Sequence, residues 1–244
     1  VPERKDDFAW ENDRTAYRAY GPALLAVDGP KTGNGIDAWG KNDRGLIVDR
    51  MYKETNYHSP ALGYAIDAYK VGNGPGCGGS AVYENGAFKQ AVTFEKWQTL
   101  FTGPVRSSFK LFYATGEVRT FTIDVGEDFY RVETEFPAVA EGACGISMRP
   151  VDAQSALKGA GFAASWEPAQ DGVPQQVGVA VVVPGGSDPV EGREAVWIRA
   201  PKGKTFTAYA GSCYSSGKDY KTAAEWFRAV ETFRKQLDAK IEVK

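Results

Sequence analysis

Along this chain apolar and polar residues alternate in short runs, and Gly, Pro, Asn and Asp cut the runs apart. From residue 80 onward the pattern is regular. Ser80–Tyr83 leads into Glu84-Asn85-Gly86, where Asn-Gly supplies the positive φ angles of a tight hairpin turn. Alternating stretches follow over Phe94–Phe101, Val105–Tyr113, Glu117–Asp124, Phe129–Phe136 and Cys144–Met148, broken by Gly103-Pro104 and Thr115-Gly116. Period-two patterning bounded by turn residues predicts antiparallel strands. A looser stretch, 150–161, precedes Phe162–Trp166, Val177–Pro184, Ala195–Ala200 and Phe206–Gly211. Val179-Ala180-Val181-Val182-Val183 is apolar without a break, so this strand is expected to be buried on both faces. Before residue 80 the signal thins. Tyr17–Tyr20 and Ile36–Trp39 read as short strands, and Leu46-Ile47-Val48 as a strand or a buried helical turn.

One segment carries the helical period. Thr222-Ala223-Ala224-Glu225 is a capping box. Trp226, Phe227, Val230, Phe233 and Leu237 then recur on one face, with Arg228, Glu231, Arg234 and Lys235 mostly on the other. The fold class is therefore mainly β: an antiparallel β-sandwich with one C-terminal amphipathic helix, read as a single domain over 1–244. No repeat, low-complexity tract or long linker divides it.

Aromatic residues are 13% of the chain, with six Trp and twelve Tyr, and they either fill a β core or stand exposed against sugar rings. The net charge of -2, from 29 basic and 31 acidic residues, is well interspersed, and without a basic stripe no nucleic-acid partner is expected. No apolar run approaches the roughly 20 residues of a membrane span. Cys77, Cys144 and Cys213 allow at most one disulfide and contain no CxxC pair, which argues against zinc. The start at Val1, with no initiator Met and no signal segment, reads as a mature or trimmed chain. Oligomeric state has no signature here.

His58 is the one histidine in 244 residues. Two-histidine metal sites are excluded, and proton transfer near neutral pH falls to His58 or to a perturbed Tyr, Lys or carboxylate. His58 lies in Tyr57-His58-Ser59, shortly before Asp67-Ala68-Tyr69-Lys70. The glycine-rich loop Gly72–Gly79 lacks the Lys-Ser/Thr ending of a phosphate loop, and it predicts a backbone bent closely around a ligand or a neighbouring strand. No Gly-x-Ser-x-Gly motif is present, and no carboxylate spacing singles out a glycosidase pair.

The catalytic candidates are Tyr57, His58, Tyr69 and Lys70, with Asp67 beside them. This group suits proton abstraction next to a carboxylate followed by elimination. That chemistry needs a base, a proton donor for the leaving oxygen, and a cation on the carboxylate. His58 serves as base or acid, and Tyr57 or Tyr69 as donor. Arg14, Arg18, Lys70 or Arg106 neutralises the carboxylate, an arginine fitting best because its planar fork is bidentate. For each basic residue taken singly, a solvated strand edge or a structural ion pair is the commoner role. Trp10, Trp39 and Asp67 complete the substrate-binding candidates. No cofactor is expected; Asp and Asn in loops leave calcium open, without EF-hand spacing.

One set of motifs runs through nearly the whole chain. It comprises Pro2-Glu3-Arg4-Lys5-Asp6-Asp7-Phe8-Ala9-Trp10-Glu11-Asn12-Asp13-Arg14, Tyr20-Gly21-Pro22-Ala23-Leu24 and Gly35-Ile36-Asp37-Ala38-Trp39. It continues with Tyr57-His58, Asp67-Ala68-Tyr69-Lys70-Val71-Gly72, Gly76-Cys77-Gly78-Gly79, Gly103-Pro104-Val105-Arg106 and Tyr209-Ala210-Gly211. On these residues the chain resembles a bacterial family of domains found in polysaccharide-utilisation loci, which degrade uronic-acid polymers such as rhamnogalacturonan and ulvan. The resemblance implies a galactose-mutarotase-like supersandwich, a secreted or periplasmic location and an oligosaccharide substrate. It also implies a lyase or dehydratase performing β-elimination on uronate-containing oligosaccharides. It transfers no set of catalytic residues. Three alternatives stay open: a mutarotase-type epimerase, whose usual pattern uses more than one histidine; a noncatalytic glycan-binding module stacking sugars on Trp10, Trp39 and tyrosines; and a glycoside hydrolase.

Overall fold

The structure, a computed structural model, describes residues 5–29, 33–59, 62–170 and 172–239. The first elements are β1 (Phe8–Glu11), β2 (Ala16–Ala19), the single-turn helix α1 (Leu25–Asp28), β3 (Ile36–Lys41), a second single turn α2 (Val48–Met51) and β4 (Ala65–Ile66). Next come β5 (Cys77–Glu84), β6 (Ala87–Lys89), β7 (Lys96–Thr102), β8 (Arg106–Phe112), β9 (Val118–Asp124), β10 (Phe129–Ala140) and β11 (Gly142–Ser147). The chain closes with β12 (Ala156–Gly159), β13 (Phe162–Pro168), β14 (Gln176–Val182), β15 (Val190–Gly192), β16 (Ala195–Arg199), β17 (Gly203–Tyr214) and α3 (Ala223–Asp238).

These strands form three antiparallel sheets. The largest has eight strands in the order β12-β13-β14-β17-β10-β9-β8-β7. A five-stranded sheet runs β15-β16-β11-β5-β6, and a four-stranded one β1-β2-β3-β4. Alternation fixes which face of the large sheet is buried. Phe109, Phe121, Val132 and Ala208 stand side by side across β8, β9, β10 and β17. They share one core with Trp10 and Tyr17 of the small sheet and with Cys144, Ile146 and Ile198 of the five-stranded sheet. The opposite face presents Phe129, Phe162, Ala164, Trp166, Ala180 and Val182 to α3. The molecule is thus a mostly β sandwich with a C-terminal helix.

The capping box forms as expected: the Thr222 side chain accepts from the Glu225 amide, and the Glu225 side chain accepts from the Thr222 amide. Trp226 and Val230 of α3 are fully buried. Because α3 covers one face of β14 and the core the other, all five residues of Val179–Val183 are buried. The hairpin at Asn85-Gly86 also forms, with φ of 53° and 80°. The 46–48 run resolves as a helical turn, with Ile47 capping α2.

Several expectations change. β12 falls within the stretch read as loose, and β1, β4 and β15 are too short to show a period. The three cysteines are free thiols. Trp10 and Trp39, expected as exposed stacking platforms, are 6% and 1% exposed and belong to the core. The glycine-rich loop serves a strand: the Ile36 amide donates to the Pro75 carbonyl at 3.1 Å, and Gly76 bridges to Ile36. At Gly76 φ is +59°, and a Cβ there would lie 2.1 Å from the Ile36 carbonyl oxygen, so only glycine fits.

Candidate functional site

The small sheet is buried on both faces. One face turns Trp10, Tyr17 and Ala38 into the main core. The other is roofed by the chain between β3 and β4, whose Ile47, Val48 and Met51 pack on Ala16 and Trp39. Beneath that roof β2 and β3 set Arg18 beside Asp37, directly paired in register.

Arg18 is 4% exposed and meets three carboxylates. Its Nη2 is ion-paired with Asp37 Oδ2 and lies 3.7 Å from Asp67 Oδ2, while Nη1 lies 3.8 Å from Asp7 Oδ2. Nη1 also donates to Tyr57 Oη at 3.1 Å. The rings of Tyr20 and Trp39 flank the guanidinium at 5.2 and 5.1 Å. Two of the carboxylates are tethered further. Asp7 accepts from the Gly21 amide at 2.8 Å, and Asp37 accepts from the Ala38 amide at 2.9 Å and from Trp39 Nε1 at 3.2 Å. Among the described residues, Arg18 is thus the cation that these three buried carboxyl groups share. Burial, then the Asp67 charge, push the Asp37 carboxyl up to about 7, against the pull of Arg18.

His58 stands at the mouth of this cluster. Its side chain is 46% exposed, and its Nδ1 lies 3.1 Å from Oδ2 of Asp67, itself 5% exposed. The Tyr57 and His58 rings are 4.1 Å apart by their centroids. Donor and acceptor types give these contacts a direction. A carboxylate accepts, so Asp67 favours the imidazole tautomer with its proton on Nδ1 and the lone pair on Nε2. A guanidinium only donates, so Tyr57 Oη accepts from Arg18 and its own proton is turned to another partner.

The structure thus brings together Tyr57, His58, Asp67 and Arg18, with Trp39 buried against the guanidinium, and places Tyr69, Lys70, Arg14, Arg106 and Trp10 elsewhere. Tyr69 is buried and donates to the Ser147 carbonyl at 2.8 Å; burial holds its phenol well above the ordinary range. It is a core residue and not a surface proton donor. Lys70 is exposed, and its carbonyl accepts from Arg149 Nη1 at 2.9 Å. Arg14 pairs with Asp128 at 3.1 Å and Asp219 at 3.7 Å. Arg106 binds Asp124 through Nε at 2.5 Å and Nη2 at 2.7 Å on the large sheet. Arg18 lies beneath Tyr57 rather than on the surface. The aspartates Asp7 and Asp37 escaped the sequence reading. For Asp37 the signal was a charged residue inside the apolar run Ile36-Asp37-Ala38-Trp39, where a strand buried on both faces must pair its charge; Asp7, in a charged run, gave none.

Other features complete the surface. A cleft of about 680 Å³ runs over the outer face of the large sheet, lined by residues that include Phe101, Arg131, Tyr209 and Phe233. Among the described residues no group of three or more His, Cys, Asp or Glu is placed to hold a metal ion. None of their helices is long and apolar enough to cross a membrane.

Fold and site together define a β-sandwich protein with a half-exposed histidine backed by a buried arginine–carboxylate cluster. The chain belongs to the family described as domain of unknown function (DUF4861), which matches residues 1–243. It is 29% identical over 273 residues to "Uncharacterized protein P7" of Formosa agariphila, covering 100% of this chain and 68% of that protein. Among solved structures, a candidate kojibiose phosphorylase from the human microbiome matches 97% of this chain and 34% of its own, with a TM-score of 0.50 at 10% identity. A heparinase III matches 91% of this chain and 35% of its own, with a TM-score of 0.47 at 10% identity. This chain spans about a third of the length of these two structures. The likeness to the first shows a shared fold.

Proposed function

We propose that this protein is a carbohydrate-active lyase or dehydratase that performs β-elimination on uronate-containing oligosaccharides, without a cofactor and in a secreted or periplasmic setting. The observation that carries the reading is the half-exposed His58, backed at 3.1 Å by a buried aspartate and set against Tyr57. His58 Nε2 takes the proton from the ring carbon next to the carboxylate. The released electron pair forms a double bond to the neighbouring carbon, and the bond from that carbon to its oxygen breaks. Tyr57 Oη passes its proton to the leaving oxygen, and the two side chains reset by exchange with solvent. Asp67 stabilises the imidazolium formed midway. Loss of water gives a dehydratase, and loss of a sugar alcohol a lyase. The carbohydrate-processing name of the solved structure with a TM-score of 0.50 supports a glycan substrate.

The test is ultraviolet absorbance over time with uronate-terminated oligosaccharides, with mass spectrometry of the products. A rising signal from a conjugated unsaturated uronate is expected, and His58→Ala should slow it ~10²–10⁴-fold while the fold stays intact. Full activity in His58→Ala sinks the assignment. A second reading, a noncatalytic glycan-binding module, is favoured by the outer cleft with Phe101 and Tyr209 on its lining. Bound but unaltered sugar, with affinity unchanged in His58→Ala, would support it.

A further inference from the structure

Arg18 differs from the other buried cations among the described residues in how many carboxylates share it. Among the described residues, Lys41 pairs with Glu11 at 2.7 Å and Arg119 with Glu117 at 3.9 Å, each one to one. Around Arg18 three carboxylates share one guanidinium. The three carboxylates are held differently. Asp7 and Asp37 are tied down by backbone or indole donors. Asp67 faces outward to His58 on one side and Arg18 on the other. Asp67 therefore links the Arg18 cluster to the half-exposed imidazole.

We infer that Asp37, acting through Arg18, is a positioning residue for His58 and Tyr57. Asp37 fixes the guanidinium. The guanidinium then presents one N–H to Tyr57 Oη, and because Asp37 occupies it, it leaves the Asp67 charge incompletely neutralised. Asp67 consequently attracts the imidazole proton more strongly than it would beside an unshared arginine, and His58 becomes the better base. The inference rests on the acid–base reading of His58 and Tyr57 given above. Asp37 is faced by Arg18 and Tyr20 from β2 and its end, by Asp67 and Tyr69 from the segment after β4, and by Tyr214 from β17. Among these Arg18 is the cation, so removing the Asp37 charge leaves Arg18 freer to neutralise Asp67, which sets the direction of the effect on His58.

The chain has a single histidine, so its imidazole C2–H gives one NMR signal that needs no assignment. In Asp67→Asn that signal should titrate at lower pH than in the wild type by about one unit, and in Asp37→Asn by about half a unit, since each removes a negative charge near the imidazolium. Asp124→Asn, which opens the Arg106 pair on the large sheet, is the control and should leave the titration in place. A purely structural Asp37 would move the melting temperature and not the titration. A folded Asp37→Asn with an unchanged His58 midpoint overturns the inference. Turnover separates this inference from the function. If His58→Ala abolishes elimination but Asp37 leaves the titration untouched, positioning fails and the acid–base reading stands. If Asp37 shifts the titration but no uronate is turned over, the reading fails and the link between the two residues stands.

Discussion

Replacing Arg18 by Met tests the energetics of the site most directly. Methionine has similar length and fills the space with no charge, so the perturbation is the loss of the cation from among Asp7, Asp37 and Asp67. All three carboxylates lie within 4 Å of the guanidinium and are buried. Removing one partner of a buried ion pair costs about 3–5 kcal/mol, because the other charge is left uncompensated. For a chain of this size each kcal/mol lowers the melting temperature by ~2–4 °C, so a fall of ~6–20 °C is expected. Urea unfolding followed by tryptophan fluorescence suits the measurement, since Trp39 sits 5.1 Å from the guanidinium and reports locally. The deficit should also depend on pH. Without the cation the aspartates hold protons more tightly, so at about pH 5 they become neutral and the variant recovers part of its stability, whereas at about pH 8 the full penalty is felt. Adding Asp37→Asn to Arg18→Met should restore part of the loss, as coupled residues do. A deficit under ~1 kcal/mol at the higher pH, or one of equal size at both, refutes the account of Arg18 as the charge that balances the cluster.

Three further outcomes follow from the same geometry. Asp37 keeps its proton to higher pH in the folded chain than in the unfolded one, so its contribution to stability is full below about pH 4 and is lost as pH rises through about 7. Wild-type stability should therefore fall more steeply than that of Asp37→Asn between about pH 5 and pH 8, with roughly 4 kcal/mol as the ceiling, and parallel curves would contradict this. Tyr69→Phe leaves the Ser147 carbonyl without its donor and should cost about 1 kcal/mol in denaturant unfolding, with elimination rates unchanged; a large rate loss would return Tyr69 to the list of proton donors. Treatment with EDTA should leave turnover intact, and activity restored only by calcium would show that a metal is needed.

The sequence by itself determined most strands from residue 80 onward, β12 and β15 excepted, because period-two alternation and turn residues are local signals that antiparallel pairing only has to accept. It determined α3 for the same reason, through a capping box and an apolar stripe that both came to occupy their expected places. It also narrowed the chemistry, since a lone histidine leaves few choices, and His58 does stand beside Tyr57 and Asp67. What it left undecided was which charges meet. Arg14, Arg18 and Arg106 were equivalent as letters, yet one pairs across to Asp128, one is buried under Tyr57 and one lies on the large sheet. Trp10 and Trp39 read equally well as platforms or as core, and only the packing of the small sheet between the main core and its roof put both inside. The Arg18 cluster draws on residues from 7 to 67 of the chain, brought together by β2–β3 register and by the roof folding back over them. Burial of a charge depends on what covers it, and no local pattern records that; the covering elements are supplied by the tertiary fold.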